Sequence, residues 1–107
     1  METDATERWI DEAVRRIVLA IRPEKVILFG SYGRGTQTRK SDIDLFVIWE
    51  TDLGPLDRMG CVLELLRDSP RPVEPVVYTP AETERNRSAP FVRRILSEGR
   101  VLYDRAA

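Results

Sequence analysis

Phe29–Val47 reads FGSYGRGTQTRKSDIDLFV, and the order of residue types within it decides the fold. The stretch closes a short apolar segment, Lys25–Phe29, with a Gly30–Ser31 turn. Ten residues later it presents Asp42 and Asp44 at the start of a second apolar segment, Ile43–Trp49. Two short apolar runs bounded by Gly and polar clusters read as strands. Residues at i and i+2 of a strand point to one side, which sets the two carboxylates roughly 6–7 Å apart at Cα. Gly30 lets a ligand approach the backbone closely. Ser31 adds a hydroxyl, and a helical turn over 31–36 would add its positive end. Taken alone, a Gly-Ser pair is a turn and an Asp-x-Asp is a solvated strand end. Their joint placement predicts a shared phosphate–metal site, because two carboxylates side by side are a costly like-charge arrangement without a cation between them.

Working outward, Trp9, Ile10, Ala13, Val14, Ile17 and Ile21 recur at helical spacing through residues 5–21, with Asp4 and Glu7 as a capping box and Pro23 as the stop. Downstream, Gly54 and Pro55 open a helix over 55–68. Its apolar stripe is Leu56, Met59, Leu63 and Leu66, widened by Val62 and Leu65. Val73–Tyr78 reads as a third strand, and Pro75 assigns it to an edge or an irregularity. Thr79-Pro80-Ala81-Glu82 resembles a capped helix start. Phe91–Ser97 is a last helix stopped by Gly99, and Val101–Tyr103 a short fourth strand. The order is that of a small α/β (α+β) domain, one mixed sheet of three or four strands packed with helices, occupying residues 1–107 as a single unit.

Composition narrows the function. The chain has 107 residues and a net charge of −1, a balance that gives no electrostatic footprint for nucleic acid. The positive charge is 15 Arg against 2 Lys, and Arg34 and Arg39 flank the polar loop as possible phosphate or partner contacts. The absence of histidine excludes His-based nucleophilic catalysis and His-ligated zinc. Cys61, the one cysteine, reads as a buried thiol within its helix and excludes an intramolecular disulfide framework. No run of apolar residues approaches the length of a membrane span and no signal peptide is evident, so a cytoplasmic location is expected. Lys40 is not preceded by the glycine of a Gly-Lys-Ser/Thr loop, and the glycines do not follow a dinucleotide-binding frame.

A third carboxylate would complete the site, and Glu74 is the candidate. If the third strand lies beside the second, position 74 shares the face of Asp42 and Asp44, with Val76 and Tyr78 on the same side and Val73, Pro75 and Val77 on the other. Asp42 and Asp44 would hold the magnesium that carries a triphosphate. All three acids would hold a second ion that activates the attacking hydroxyl, with Glu74 also a candidate base. Phe46, Ile48, Val76 and Tyr78 then form an apolar surface beside the acids, open to a partner unless a helix covers it.

The signature Gly30-Ser31, ten residues, Asp42-x-Asp44 resembles that of the DNA polymerase beta nucleotidyltransferase superfamily. The whole chain, including the ending SEGRVLYD, is similar to its minimal nucleotidyltransferases, among them the MNT antitoxins paired with HEPN-domain toxins. That resemblance places Gly30 and Ser31 at the phosphate positions, Asp42 and Asp44 at the metal positions and Glu74 at the third acidic position, where the family more often has Asp. It implies transfer of AMP from ATP to a tyrosine of a HEPN toxin, itself an RNase, with pyrophosphate released. Two other accounts stay open: an antitoxin that neutralises its partner by contact, and transfer to a small molecule or a nucleic-acid end. A homodimer is an alternative to the toxin complex.

Overall fold

The structure is a computed structural model that describes residues 5–107. The helix expected over 5–21 is α1, Ala5–Ile21. Of its capping box, Asp4 lies outside the described residues. Glu7 instead accepts a hydrogen bond from Arg100 at 3.2 Å. Strand β1 (Lys25–Phe29) runs into a short helix α2 (Gly30–Arg34), and β2 (Ile43–Ile48) follows the polar loop. Helix α3 (Pro55–Leu65), strand β3 (Val73–Tyr78), helices α4 (Pro80–Arg85) and α5 (Pro90–Glu98) and strand β4 (Arg100–Asp104) complete the order.

The four strands form one mixed sheet in the order β3-β2-β1-β4. β1 is antiparallel to both β2 and β4, while β2 and β3 run parallel. β3 is therefore an edge strand, which is how Pro75 is tolerated: its missing N–H costs no ladder hydrogen bond on the open side. Alternation in the strands divides the core between the two faces of the sheet. Val26, Leu28, Leu45, Val47 and Val77 pack with Ile10, Ala13 and Ile17 of α1 and Val62 of α3. Ile27, Phe46 and Ile48 pack on the opposite face with Val92 and Ile95 of α5.

That second cluster corrects one expectation. Phe46 and Ile48 are buried, and Val76 and Tyr78 pack against the same cluster, so α5 covers this side instead of leaving an open apolar surface. Helix α3 also turns differently from the expected stripe. Val62 and Leu66 are buried, but Leu56 is 82% exposed and Met59 and Leu63 face outward with it. The cause is Arg58, buried with its guanidinium donating to Glu82 at 2.7 Å and to the Leu53 carbonyl at 2.7 Å. Bringing that charge inward fixes the face of α3 that meets the sheet, and Cys61 is left half-buried instead of buried. Glu82 serves two elements, because it also closes the capping box of α4 with Thr79. Among the described residues no helix is long and apolar enough to cross a membrane.

Candidate active site

The site lies at one end of the face that α5 covers. Phe29 of β1, Asp44 of β2 and Glu74 of β3 stand in one row across the sheet, since Phe29 pairs with Asp44 and Asp44 pairs with Glu74. The parallel pairing of β2 with β3 thus brings Glu74 to the carboxylate of Asp44, as the shared-face argument expected. Asp42 sits one residue before β2 begins. The row is set by the start of β2, where the Ile43 N–H donates to the Pro72 carbonyl at 2.8 Å and locks the register with β3.

Gly30 forms the opposite wall. It has a φ of 67°, in the left-handed region that glycine adopts without strain. A Cβ at this position would collide with the Asp44 carboxylate oxygen Oδ2. The backbone at Gly30 is thereby packed against the Asp44 carboxylate, and Ser31 follows it in the first turn of α2. That turn is anchored from below by Tyr32, which is buried among the α1 and α3 residues of the first cluster. Gly33 is equally constrained, since a Cβ there would lie 2.5 Å from the Leu28 carbonyl oxygen.

The polar loop between Ser31 and Asp42 is held by its own side chains. Thr36 donates from its backbone N–H to the Ser31 carbonyl at 2.9 Å, and the Ser41 hydroxyl accepts from the Thr38 N–H at 2.8 Å. Arg71 donates to the Ser41 carbonyl at 3.2 Å, just before Asp42. Sequence reading missed Arg71; only the arrival of the 69–72 turn beside β2 shows its place. The two expected arginines separate. Arg34 stands close enough to Asp44 to favour its ionised form, whereas Arg39 is exposed in the loop with no ion pair among the described residues.

The electrostatics are dominated by burial, with crowding of like charge second. Burial pushes the Asp44 carboxyl up to about 6. The negative charge of Glu74, a hydrogen bond with Glu74 and the charge of Asp42 add to the rise, and Arg34 opposes it. The like-charge part of that rise, from Glu74 and Asp42, is the part a bound cation would relieve. Among the described residues no group of three His, Cys, Asp or Glu side chains is placed to hold a metal ion by itself. The donor set, oxygen only and without histidine, fits a hard divalent cation.

The mixed sheet thus sets a Gly-Ser turn against the carboxylates of Asp44 and Glu74. A model of the nucleotidyltransferase domain matches residues 7–103, and the chain belongs to that family. It is 31% identical over 99 residues to the candidate protein adenylyltransferase MJ0604 of Methanocaldococcus jannaschii, covering 87% of this chain and 97% of that protein. A second protein of the same organism and description, MJ1305, is 33% identical over 85 residues, which span 75% of this chain and 58% of its own length. Among solved structures, a toxin–antitoxin crystallised with AMP-PNP superposes with a TM-score of 0.63 at 26% identity, over 88% of this chain and 73% of that one. A nucleotidyltransferase candidate from Sulfolobus solfataricus has the same fold, with a TM-score of 0.67 at 20% identity over 98% and 92% of the two chains.

Proposed function

We propose that this protein transfers AMP from ATP to a hydroxyl, that of a tyrosine on a partner HEPN-domain toxin, and so acts as an antitoxin. The observation that carries the reading is the pairing of Asp44 with Glu74 across β2 and β3, with the Gly30 backbone packed on the same Asp44 carboxylate. The similarity to protein adenylyltransferases and to a toxin–antitoxin bound to an ATP analogue supports the choice of donor and acceptor class.

Asp42, Asp44 and Glu74 would hold magnesium, which when bound neutralises phosphate charge and lowers the pKa of a hydroxyl in its shell. The chain's own residues do the rest. The Gly30 and Ser31 backbone and the Ser31 hydroxyl receive the triphosphate, and Arg34 adds positive charge beside Asp44. The acceptor oxygen attacks the α-phosphorus, forming the new O–P bond. The bond from that phosphorus to the oxygen bridging the β-phosphate breaks, and pyrophosphate leaves with the electron pair. Glu74, exposed at the edge strand where an acceptor has access, takes the hydroxyl proton.

The test is intact-mass spectrometry of a HEPN-domain toxin after incubation with the protein, ATP and magnesium. A mass increase of whole AMP units, mapped to tyrosine, is the expected result. An unmodified toxin held in a stable complex would replace catalysis with neutralisation by contact.

A further inference from the structure

A cleft of about 190 Å³ opens beside the acids, between α2 and α5, and the carboxylates do not account for it. Phe29, Gly30, Arg34, Phe91, Arg94 and Glu98 line it. Its size limits its occupant. A cavity of about 150 Å³ holds a benzene ring, whereas sites for drug-sized molecules begin near about 300 Å³. The cleft therefore takes one planar ring system and not a whole nucleotide. Its position says where the remainder would lie. Gly30 and Arg34 belong both to the cleft and to the acid site, so a ring held here continues into a phosphate chain over Gly30 and Asp44.

The lining has the chemistry of a base site. Phe91 is 50% exposed and meets Phe29 edge-on at 5.9 Å, an aromatic surface that folding leaves half uncovered. Arg34 and Arg94 have no ion pair among the described residues, and a guanidinium plane stacks readily on a heterocycle. Glu98 ends α5, where negative charge opposes the helix dipole, and it too has no ion pair there. An ionised carboxylate only accepts hydrogen bonds, so it attracts a ring edge bearing an amino group and repels one bearing a carbonyl.

We propose that this cleft receives the base of the donor nucleotide, with Phe91 as its stacking surface and Glu98 selecting an amino-bearing purine edge such as that of adenine. The inference rests on the nucleotidyl-transfer reading of the acid site and adds its donor specificity.

Calorimetric titration of the full chain in magnesium with ATP, ITP and inorganic tripolyphosphate tests it. ITP differs from ATP in carrying a carbonyl where adenine has its amino group. The expected result is that ATP binds about tenfold tighter than ITP, that Phe91→Ala weakens ATP about tenfold without changing tripolyphosphate, and that Glu98→Gln erases the ATP–ITP difference. Glu98 is exposed, so its variant reports on the cleft even if Phe91→Ala folds poorly. Tripolyphosphate and ATP binding that both variants leave at wild-type strength would overturn the base site and keep the phosphate–metal site. The same pattern with a raised KM for the acceptor protein in Phe91→Ala would give the cleft to the acceptor instead. Wild-type protein that binds neither ATP nor tripolyphosphate would overturn the underlying reading, and the base site with it.

Discussion

Asp44 is half-buried next to two other acids, and its ionisation links the site to the stability of the fold. An unfolded aspartate ionises near 3.8, and in the folded chain this carboxyl is pushed up to about 6, by burial first and by Glu74 next. The folded state thus holds the proton more tightly than the unfolded state. The contribution of Asp44 to stability is intact below the unfolded value, declines as pH rises through about 6, and is a penalty above it. Asp44→Asn is expected to raise the melting temperature of the metal-free protein, more at about pH 8 than at about pH 5, with magnesium narrowing the gap for the wild type. Thermal denaturation across pH checks this, and an equal or negative shift at the higher pH would contradict it. Glu74→Gln should lower the rate of the chemical step more than it weakens nucleotide binding, as single-turnover kinetics would separate. Gly30→Ala combines a left-handed backbone with a collision against the Asp44 carboxylate, and should cost more than about 1 kcal/mol in urea denaturation as well as activity. The Gly30-Ser31 turn after β1 and the Asp42-x-Asp44 start of β2 were legible in the sequence because their spacing is local. The partnership of Asp44 with Glu74 rested on a strand neighbour that only the fold supplies.

At the level of elements, β1, β2, β3 and α1 are close to what their apolar patterns predict, because each buries a continuous run or a regular stripe. Helix α3 is the informative exception. Leu56, Met59 and Leu63 form an apolar stripe at helical spacing, yet the helix turns the side bearing Arg58 and Val62 inward. A charge is not expected inside, and nothing local to α3 reveals the carboxylate of Glu82 that waits there from α4. Removing one partner of such a pair strands the other. Arg58→Ala should therefore destabilise the protein by about 2–3 kcal/mol, at the low end for a buried pair because Glu82 is partly exposed. Leu56→Ala should change stability by less than about 0.5 kcal/mol despite removing a large apolar side chain. Parallel chemical denaturation of the two variants checks both, and the reverse ranking would restore the simple amphipathic reading of α3.

Across the whole molecule, the sheet order β3-β2-β1-β4 converts sequence neighbours into an asymmetric site. The carboxylate row has the α2–α5 cleft on its β1 side and the open edge strand β3 on the other. On the proposed reading, donor and acceptor would approach from different sides, as in-line displacement at phosphorus requires. Strand number and the mixed character of the sheet were legible in the sequence. The cover that α5 gives to Phe46 and Ile48 was not, since it depends on how the chain returns over β1 after α4.

The most direct test of nucleotidyl transfer at this site is to incubate wild-type protein and its Asp42→Asn variant with the toxin, magnesium and ATP labelled at either the α- or the γ-phosphate. The account predicts that label enters the toxin from α-labelled ATP alone, that pyrophosphate carries away the γ-label, and that Asp42→Asn transfers neither. Label entering from the γ-phosphate, or undiminished α-label transfer by Asp42→Asn, would contradict it.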